Sequence, residues 1–409
     1  MKNLKGRAVF AQSGGPTSVI NSSIAGGLVE ALSQDSVTGV LCAINGIKGV
    51  LTENFVDIEK EDLNELYALK NTPASAFGSV RYKLKDFEVD DTDYKKILEV
   101  FKKYDVKYFF YNGGNDSMDT CDKISRFMQK EGYSINVIGI PKTIDNDLIG
   151  TDHCPGYGSA AKYIATTIAE VNRDAEIYES PLVIVVEIMG RNAGWLTASA
   201  KLASLTGYGA DLIYLPEVPF SIEKFKADVT EVVNRKQKCI IAVSEGIKNS
   251  DGKYVGEDAS ATDVFGHSAL GGVCGTLKSA VKSLGYKCKA IELNILQRCA
   301  SHVASKTDIE EAFECGRQAV KKAVDGESDK MVSFKRKEGA YAIDYVTQDL
   351  TVTANAEKTI PLEWICNNGT DLTEDFVEYA LPLIQGDPNC RTENGLPSYA
   401  KLKMVKFKL

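Results

Sequence analysis

Within six residues, Lys142-Thr143-Ile144-Asp145-Asn146-Asp147, the chain places one ammonium and two carboxylates just beyond an apolar run that ends at Ile140. In an extended segment Asp145 and Asp147 point to the same side, because side chains alternate along it. One carboxylate is suited to act as a base toward a hydroxyl. The other is suited to orient that hydroxyl or to help hold a metal. Asp-x-Asp stretches also arise as Asx-turns or helix caps. Lys142 is less easily explained as structure, since a charged Lys is rarely buried unpaired. A cation beside a base suits transfer of a charged group such as phosphoryl, where positive charge meets the moving anion.

Four further polar clusters have the same kind of position, each after an apolar run: Ser13-Gly14-Gly15, Gly113-Gly114-Asn115-Asp116-Ser117, Glu187 to Trp195 with Met189-Gly190-Arg191 inside it, and Ser244-Glu245-Gly246. The two Gly-Gly pairs each precede a predicted helix, which lets backbone approach a phosphate and offers free N–H groups. Tight turns explain such pairs equally well, and neither stretch fits the dinucleotide fingerprint or the P-loop. Arg81, Arg191 and Arg298 are each ordinary singly. Together they form a set able to bind phosphate bidentately.

Strands are predicted at 8–12, 39–44, 106–112, 134–140, 182–190, 210–216, 238–246 and 289–297, and helices at 19–32, 93–104, 118–132, 160–177, 193–207 and 306–326. Near-continuously apolar strands separated by helices indicate an α/β protein with parallel sheets covered on both faces. In such sheets ligands bind beyond the carboxyl ends of the strands, where the polar clusters fall.

At 409 residues the chain has room for two or three domains. It is 44% hydrophobic and 25% charged, with a net charge of −8. That balance argues against broad binding of nucleic acid or an anionic membrane surface. No run approaches the ~18 apolar residues of a membrane helix. The N-terminal stretch reads as a first strand, not a signal peptide. Ten Cys without a C-x-x-C pair and three His make a zinc site improbable and fit reduced thiols in a cytoplasmic protein.

Taken in order, "SGG", "GGNDS", "PKTIDND", "EIMGRNAGW", "SEG" and "LQR" resemble the phosphofructokinase family over roughly residues 8–320. The resemblance implies two Rossmann-like parallel-sheet domains with the site between them, a magnesium cofactor, and assembly into homodimers or homotetramers. The expected division is a phosphoryl-donor domain over 1–140 completed by part of 298–409, a sugar-phosphate domain over 141–297 completed by the helix at 306–326, and a C-terminal extension over 327–409. Carried over by position, Asp145 resembles the base that deprotonates the 1-hydroxyl of fructose 6-phosphate, with Thr143 and Asp147 flanking it. Met189, Gly190 and Arg191 resemble the sugar-binding element, and Glu245 a sugar-hydroxyl ligand. Gln297, Arg298 and Lys289 resemble the 6-phosphate contacts. Gly14, Gly15, Arg81 and Gly114 resemble phosphoryl-donor contacts.

The donor is argued from two places where ATP-using relatives commonly have Gly. Here they hold Asp116 and Lys142. Asp116 sets a side chain and negative charge where an α-phosphate of ATP lies, and Lys142 meets charge on pyrophosphate as its bond breaks. Both resemble the pyrophosphate-dependent branch. Three features depart from the pattern: Asn115 where a magnesium-associated Asp is usual, Leu182 where a basic residue reaches a neighbour's 6-phosphate, and "CASH" (299–302) after Arg298. Asn115 and Leu182 keep open a catalytically silent subunit that binds sugar phosphate, and an ATP-dependent enzyme is the alternative within the family.

Overall fold

The computed structural model describes residues 4–262, 268–270, 272–353 and 357–409, with side chains outside 257–271. The chain runs through β1 (Gly6–Gln12), α1 (Ile20–Leu32), β2 (Val37–Ala43), β3 (Phe55–Asp57), α2 (Thr92–Lys103), β4 (Val106–Gly113), α3 (Asn115–Lys130) and β5 (Asn136–Pro141). It continues through α4 (Tyr157–Glu176), β6 (Leu182–Ile188), β7 (Leu212–Tyr214), α5 (Ile222–Lys236), β8 (Lys238–Ser244), α6 (Val273–Ser283) and β9 (Lys287–Glu292). Then come α7 (Lys306–Val324), β10 (Lys330–Arg336) and β11 (Ile343–Asp349).

The apolar strands form two sheets. In the first the order is β11-β10-β5-β4-β1-β2-β3, and in the second β9-β6-β8-β7. The pairs β1–β2, β1–β4, β4–β5 and β5–β10 are parallel, and so is every pair of the second sheet. The two antiparallel pairs, β2–β3 and β10–β11, lie at the edges of the first sheet. Val9, Phe10, Phe109 and Phe110 are wholly buried in the first sheet, as Val183, Val185 and Val186 are in the second. Such strands have apolar layers on both faces, which is why their sequences do not alternate.

The C-terminal third agrees with expectation in its strands and departs from it in its helix. Strands β10 and β11 are part of the first sheet, joined through Lys330–Ile138 and Met331–Gly139. Helix α7 was expected to complete the second unit. Its apolar face (Cys315, Ala319, Val320, Ala323) instead joins the core that holds Ala8 and Phe10 of the first sheet. Small residues permit this: a Cβ on Gly26 would lie 1.8 Å from the Phe313 carbonyl oxygen, so only glycine lets α1 and α7 approach so closely. The start of α7 reaches the other way. Both carboxylate oxygens of Asp308 accept backbone N–H bonds, from Gly156 and Ser159 at 2.9 Å, at the head of α4. Thus α7 is a beam tied to both sheets.

Other boundaries shift in ways that matter for the site. Helix α3 begins at Asn115, three residues before the predicted start, so Asn115 and Asp116 are in its first turn. Helix α1 begins at Ile20, one residue after its predicted start, so Gly14-Gly15 lies in the loop before it. The run predicted as a strand over 289–297 splits into β9 and a 3₁₀ turn at Asn294–Arg298. The predicted helix at 193–207 is α-helical only over Trp195–Ala198 and continues as 3₁₀ helix. Helices α5 and α6 have no counterpart in the prediction. No helix among the described residues is long and apolar enough to cross a membrane.

Candidate active site

The carboxyl ends of β1, β4, β5, β6 and β8 open on one cleft of about 760 Å³. Its wall gathers Gly14, Gly15, Arg81, Gly114, Asn115, Asp116, Lys142, Thr143, Asp145, Asp147, Met189, Arg191, Glu245 and Arg298. Residues drawn from seven stretches of sequence therefore meet in one place.

The floor is the segment after β5. The Lys142 N–H donates to the Gly113 carbonyl at 3.0 Å, which continues the sheet, and its side chain turns inward with 4% exposure. The ammonium donates to the Gly15 carbonyl at 2.7 Å. Burial pushes its pKa down to about 8, against the raising effect of Asp145 and Asp147. Asn146 is wholly buried with φ of 55°, a left-handed turn that Asn tolerates. Its side chain donates to the Tyr379 hydroxyl at 2.8 Å and accepts the Cys154 N–H at 2.9 Å, so it faces away from the cleft. That turn leaves Asp145 and Asp147 facing into the cleft on either side of it. The Thr143 hydroxyl donates to Asp145 at 3.3 Å and accepts the Asp145 N–H at 3.0 Å. Burial raises the Asp145 carboxyl above its usual range, opposed by Lys142. Burial and then the charge of Asp145 push Asp147 up to about 7.

Two cations crowd the 13–15 loop. A Cβ on Gly14 would lie 3.1 Å from the Lys142 ammonium, and one on Gly15 would lie 3.0 Å from an Arg298 guanidinium nitrogen. Gly14 has φ of 76°, so both space and backbone favour glycine. Opposite them stands the N-terminal turn of α3, capped by Gly114, with free N–H groups that favour an anion.

On the far wall, Gly190 has φ of 141°, and its N–H donates to Glu245 at 3.4 Å while its carbonyl accepts from the Ser244 hydroxyl at 2.5 Å. Gly190 thereby sets where Glu245 sits. Burial pushes the Glu245 carboxyl up to about 7.

A divalent cation fits these groups. The Asn115 amide nitrogen donates to Asp147 at 3.1 Å, while its buried carbonyl oxygen has no hydrogen-bond partner among the described residues. That orphaned oxygen, on a side chain bonded to Asp147 and in one cleft with Asp145, is a hard-oxygen donor of the kind such an ion takes. No cluster of three or more His, Cys, Asp or Glu able to hold a metal occurs among the described residues. An ion here would share its remaining positions with water and phosphate oxygens.

Two expected contacts are corrected. Lys289 does not line the cleft. It is a mid-strand residue of the edge strand β9, 3.7 Å from Asp174 and above the Tyr178 ring, well before the carboxyl end of its strand. Gln297 is 1% exposed and acts from behind: its side-chain oxygen accepts the Met189 N–H at 3.3 Å. Leu182, the apolar departure, is a buried core residue at the start of β6. The cleft also includes Ser13 and Asn192, which fall inside two of the polar clusters, and Tyr82 and Glu357, which sequence reasoning missed. Asn192 and Tyr82 adjoin residues already singled out. Glu357 carries no motif.

The family model described as Phosphofructokinase matches residues 7–323. The chain belongs to the phosphofructokinase family. It is 44% identical to the pyrophosphate–fructose 6-phosphate 1-phosphotransferase of Halomonas elongata, over 98% of this chain and 99% of that one. The protein of the same name from Xanthomonas campestris is also 44% identical, over 98% and 97%. A crystal structure described as a pyrophosphate-dependent phosphofructokinase from Nitrosospira multiformis superposes with a TM-score of 0.90 at 40% identity, covering 99% of this chain and 98% of that one. Within the phosphofructokinase match fall all the expected cleft residues. Glu357, in the C-terminal extension, lies outside it.

Proposed function

We propose that this protein transfers a phosphoryl group from pyrophosphate to the 1-hydroxyl of fructose 6-phosphate, giving fructose 1,6-bisphosphate and phosphate, reversibly and with magnesium. One observation carries the reading: buried Lys142 and half-buried Asp145 face one cleft, with Asp116 in the first turn of the helix that forms its donor wall. The names of the Halomonas and Xanthomonas relatives agree with it.

In this reading Asp145 accepts the proton of the attacking hydroxyl, and Thr143 orients the carboxylate. Lys142 and Arg298, close against the 13–15 loop, offset charge as the bridging oxygen of pyrophosphate leaves. Asp116 stands where a nucleotide's next phosphate lies, and its carboxylate repels it. The cation, when bound between Asn115 and the carboxylates, supplies electrostatic neutralisation of the transferring group. Met189, Arg191 and Glu245 hold the sugar, with Gly190 and Gln297 fixing their backbone. Lys289, remote from its own chain's cleft, serves a neighbouring chain in a homodimer or homotetramer. Ten free thiols, seven of them buried, fit a cytoplasmic enzyme.

The test is a donor comparison. Purified protein, fructose 6-phosphate and magnesium are mixed with pyrophosphate or with ATP, and fructose 1,6-bisphosphate is followed. Turnover with pyrophosphate and little with ATP is expected. Preference for ATP would overturn the roles of Asp116 and Lys142 as donor determinants.

A further inference from the structure

Among the described residues, the chain beyond residue 323 contributes one residue to the lining of the cleft, Glu357, held in place by its neighbour Lys358. The Lys358 N–H donates to the Asp147 carbonyl at 2.7 Å, and Glu357 pairs with Leu148 in an antiparallel bridge. The Lys358 ammonium is tied to the carbonyls of Thr151 and Asp152 at 3.2 and 2.8 Å, and its own carbonyl accepts the Trp195 indole N–H at 2.8 Å. The backbone at 357–358 is thus fixed to the segment that carries Asp145 and Asp147. From that anchor the exposed Glu357 side chain reaches across to the opposite wall. There one of its oxygens accepts from the Asn192 amide at 3.1 Å, its sole side-chain hydrogen bond among the described residues. Asn192 is itself held by the Tyr254 hydroxyl at 3.2 Å and directly follows Arg191.

We infer that Glu357 is an acceptor-binding residue: its carboxylate takes a hydroxyl hydrogen bond from the sugar phosphate bound between the 145–147 segment and the 189–192 segment. Three points support this. The carboxylate lines the same cleft as Asp145, Met189 and Arg191. Asn192 uses one lone pair and leaves the rest of the carboxylate's acceptor capacity open. Its charge is wrong for an anionic donor and right for a polyol. The inference rests on the assignment of the 189–191 element to the sugar.

Glu357 is exposed, so substituting it leaves the fold intact. In Glu357→Gln and Glu357→Ala, the KM for fructose 6-phosphate is expected to rise about tenfold, the cost of losing a hydrogen bond to a charged group. The KM for pyrophosphate is expected to stay within about twofold. Asn192→Ala, which frees the carboxylate from its anchor, shifts the sugar KM in the same direction by less. Unchanged sugar KM in both Glu357 variants, or an equal rise for pyrophosphate, overturns the inference. Calorimetry with fructose 6-phosphate alone separates the two readings. If wild type binds the sugar without turning it over with pyrophosphate, the donor assignment fails, and weaker binding by Glu357→Gln still supports Glu357. Absence of sugar binding by wild type overturns both.

Discussion

The two walls of the cleft recognise by different means. The wall built on the first sheet is mostly backbone: a glycine loop, the open end of α3, and cations drawn close because no Cβ intervenes. The wall built on the second sheet works through side chains set by a backbone with no freedom, as where Gly190 holds Glu245. The first arrangement suits a compact, symmetric anion with several equivalent oxygens. The second suits a ligand whose hydroxyls differ from one another. Between them lies the 142–147 floor, which belongs to both and carries the chemistry.

That comparison can be broken at the floor first. Asp145→Asn is expected to lower turnover by about 10²–10⁴, the range of a positioned general base, while fructose 6-phosphate binding stays within a few fold. Equal turnover in the variant, measured by steady-state kinetics, removes Asp145 from the mechanism. Lys142→Met acts on the donor side of that floor. Turnover with pyrophosphate falls about 10²–10³, as on loss of one preorganised electrostatic contact, and the sugar affinity read by calorimetry is unmoved. A large loss of sugar affinity would show that the walls are not separate. Asp116→Gly sharpens the donor argument, since measurable turnover with ATP should rise from the wild-type level. No rise at all would mean that charge in the first turn of α3 does not exclude the nucleotide.

The smallest effect concerns the sugar wall. Glu245 is held at about 7 by burial, above an unfolded value near 4.5. The folded state therefore binds more protons than the unfolded state between those values, and stability falls as pH rises through that window. Glu245→Gln removes this penalty. Its melting temperature should exceed wild type by a few degrees at pH 8 and match it near pH 4. A difference that does not depend on pH would mean the carboxyl is not desolvated as the geometry implies.

Much of this was legible in the sequence, for identifiable reasons. The strands carrying the site are apolar throughout, so their ends stand out against polar turns, and Lys142, Asp145 and Asp147 follow one such end directly. The α3 boundary was less legible, because Asn115 and Asp116 read as turn residues until the helix is seen to start on them. Lys289 was misplaced since sequence order does not show how far along its strand a residue sits. Helix α7 was assigned to the wrong sheet because its amphipathic pattern gives a face but not a partner, and the glycines that select α1 lie nearly three hundred residues earlier. Glu357 had no local signal at all, being brought to the cleft by backbone bonds to Asp147 and Leu148.

The route of the chain through its two sheets has a bearing on how the protein is made. Every strand of the second sheet has been synthesised once residue 292 emerges, whereas the first sheet still lacks β10 and β11. Strand β5, which carries Lys142 at its end, waits with one edge unpaired for about two hundred residues of translation. Yet the core that covers the second sheet also draws in Ile360, Phe376 and Leu383, so both units wait for the C-terminal residues before they can close.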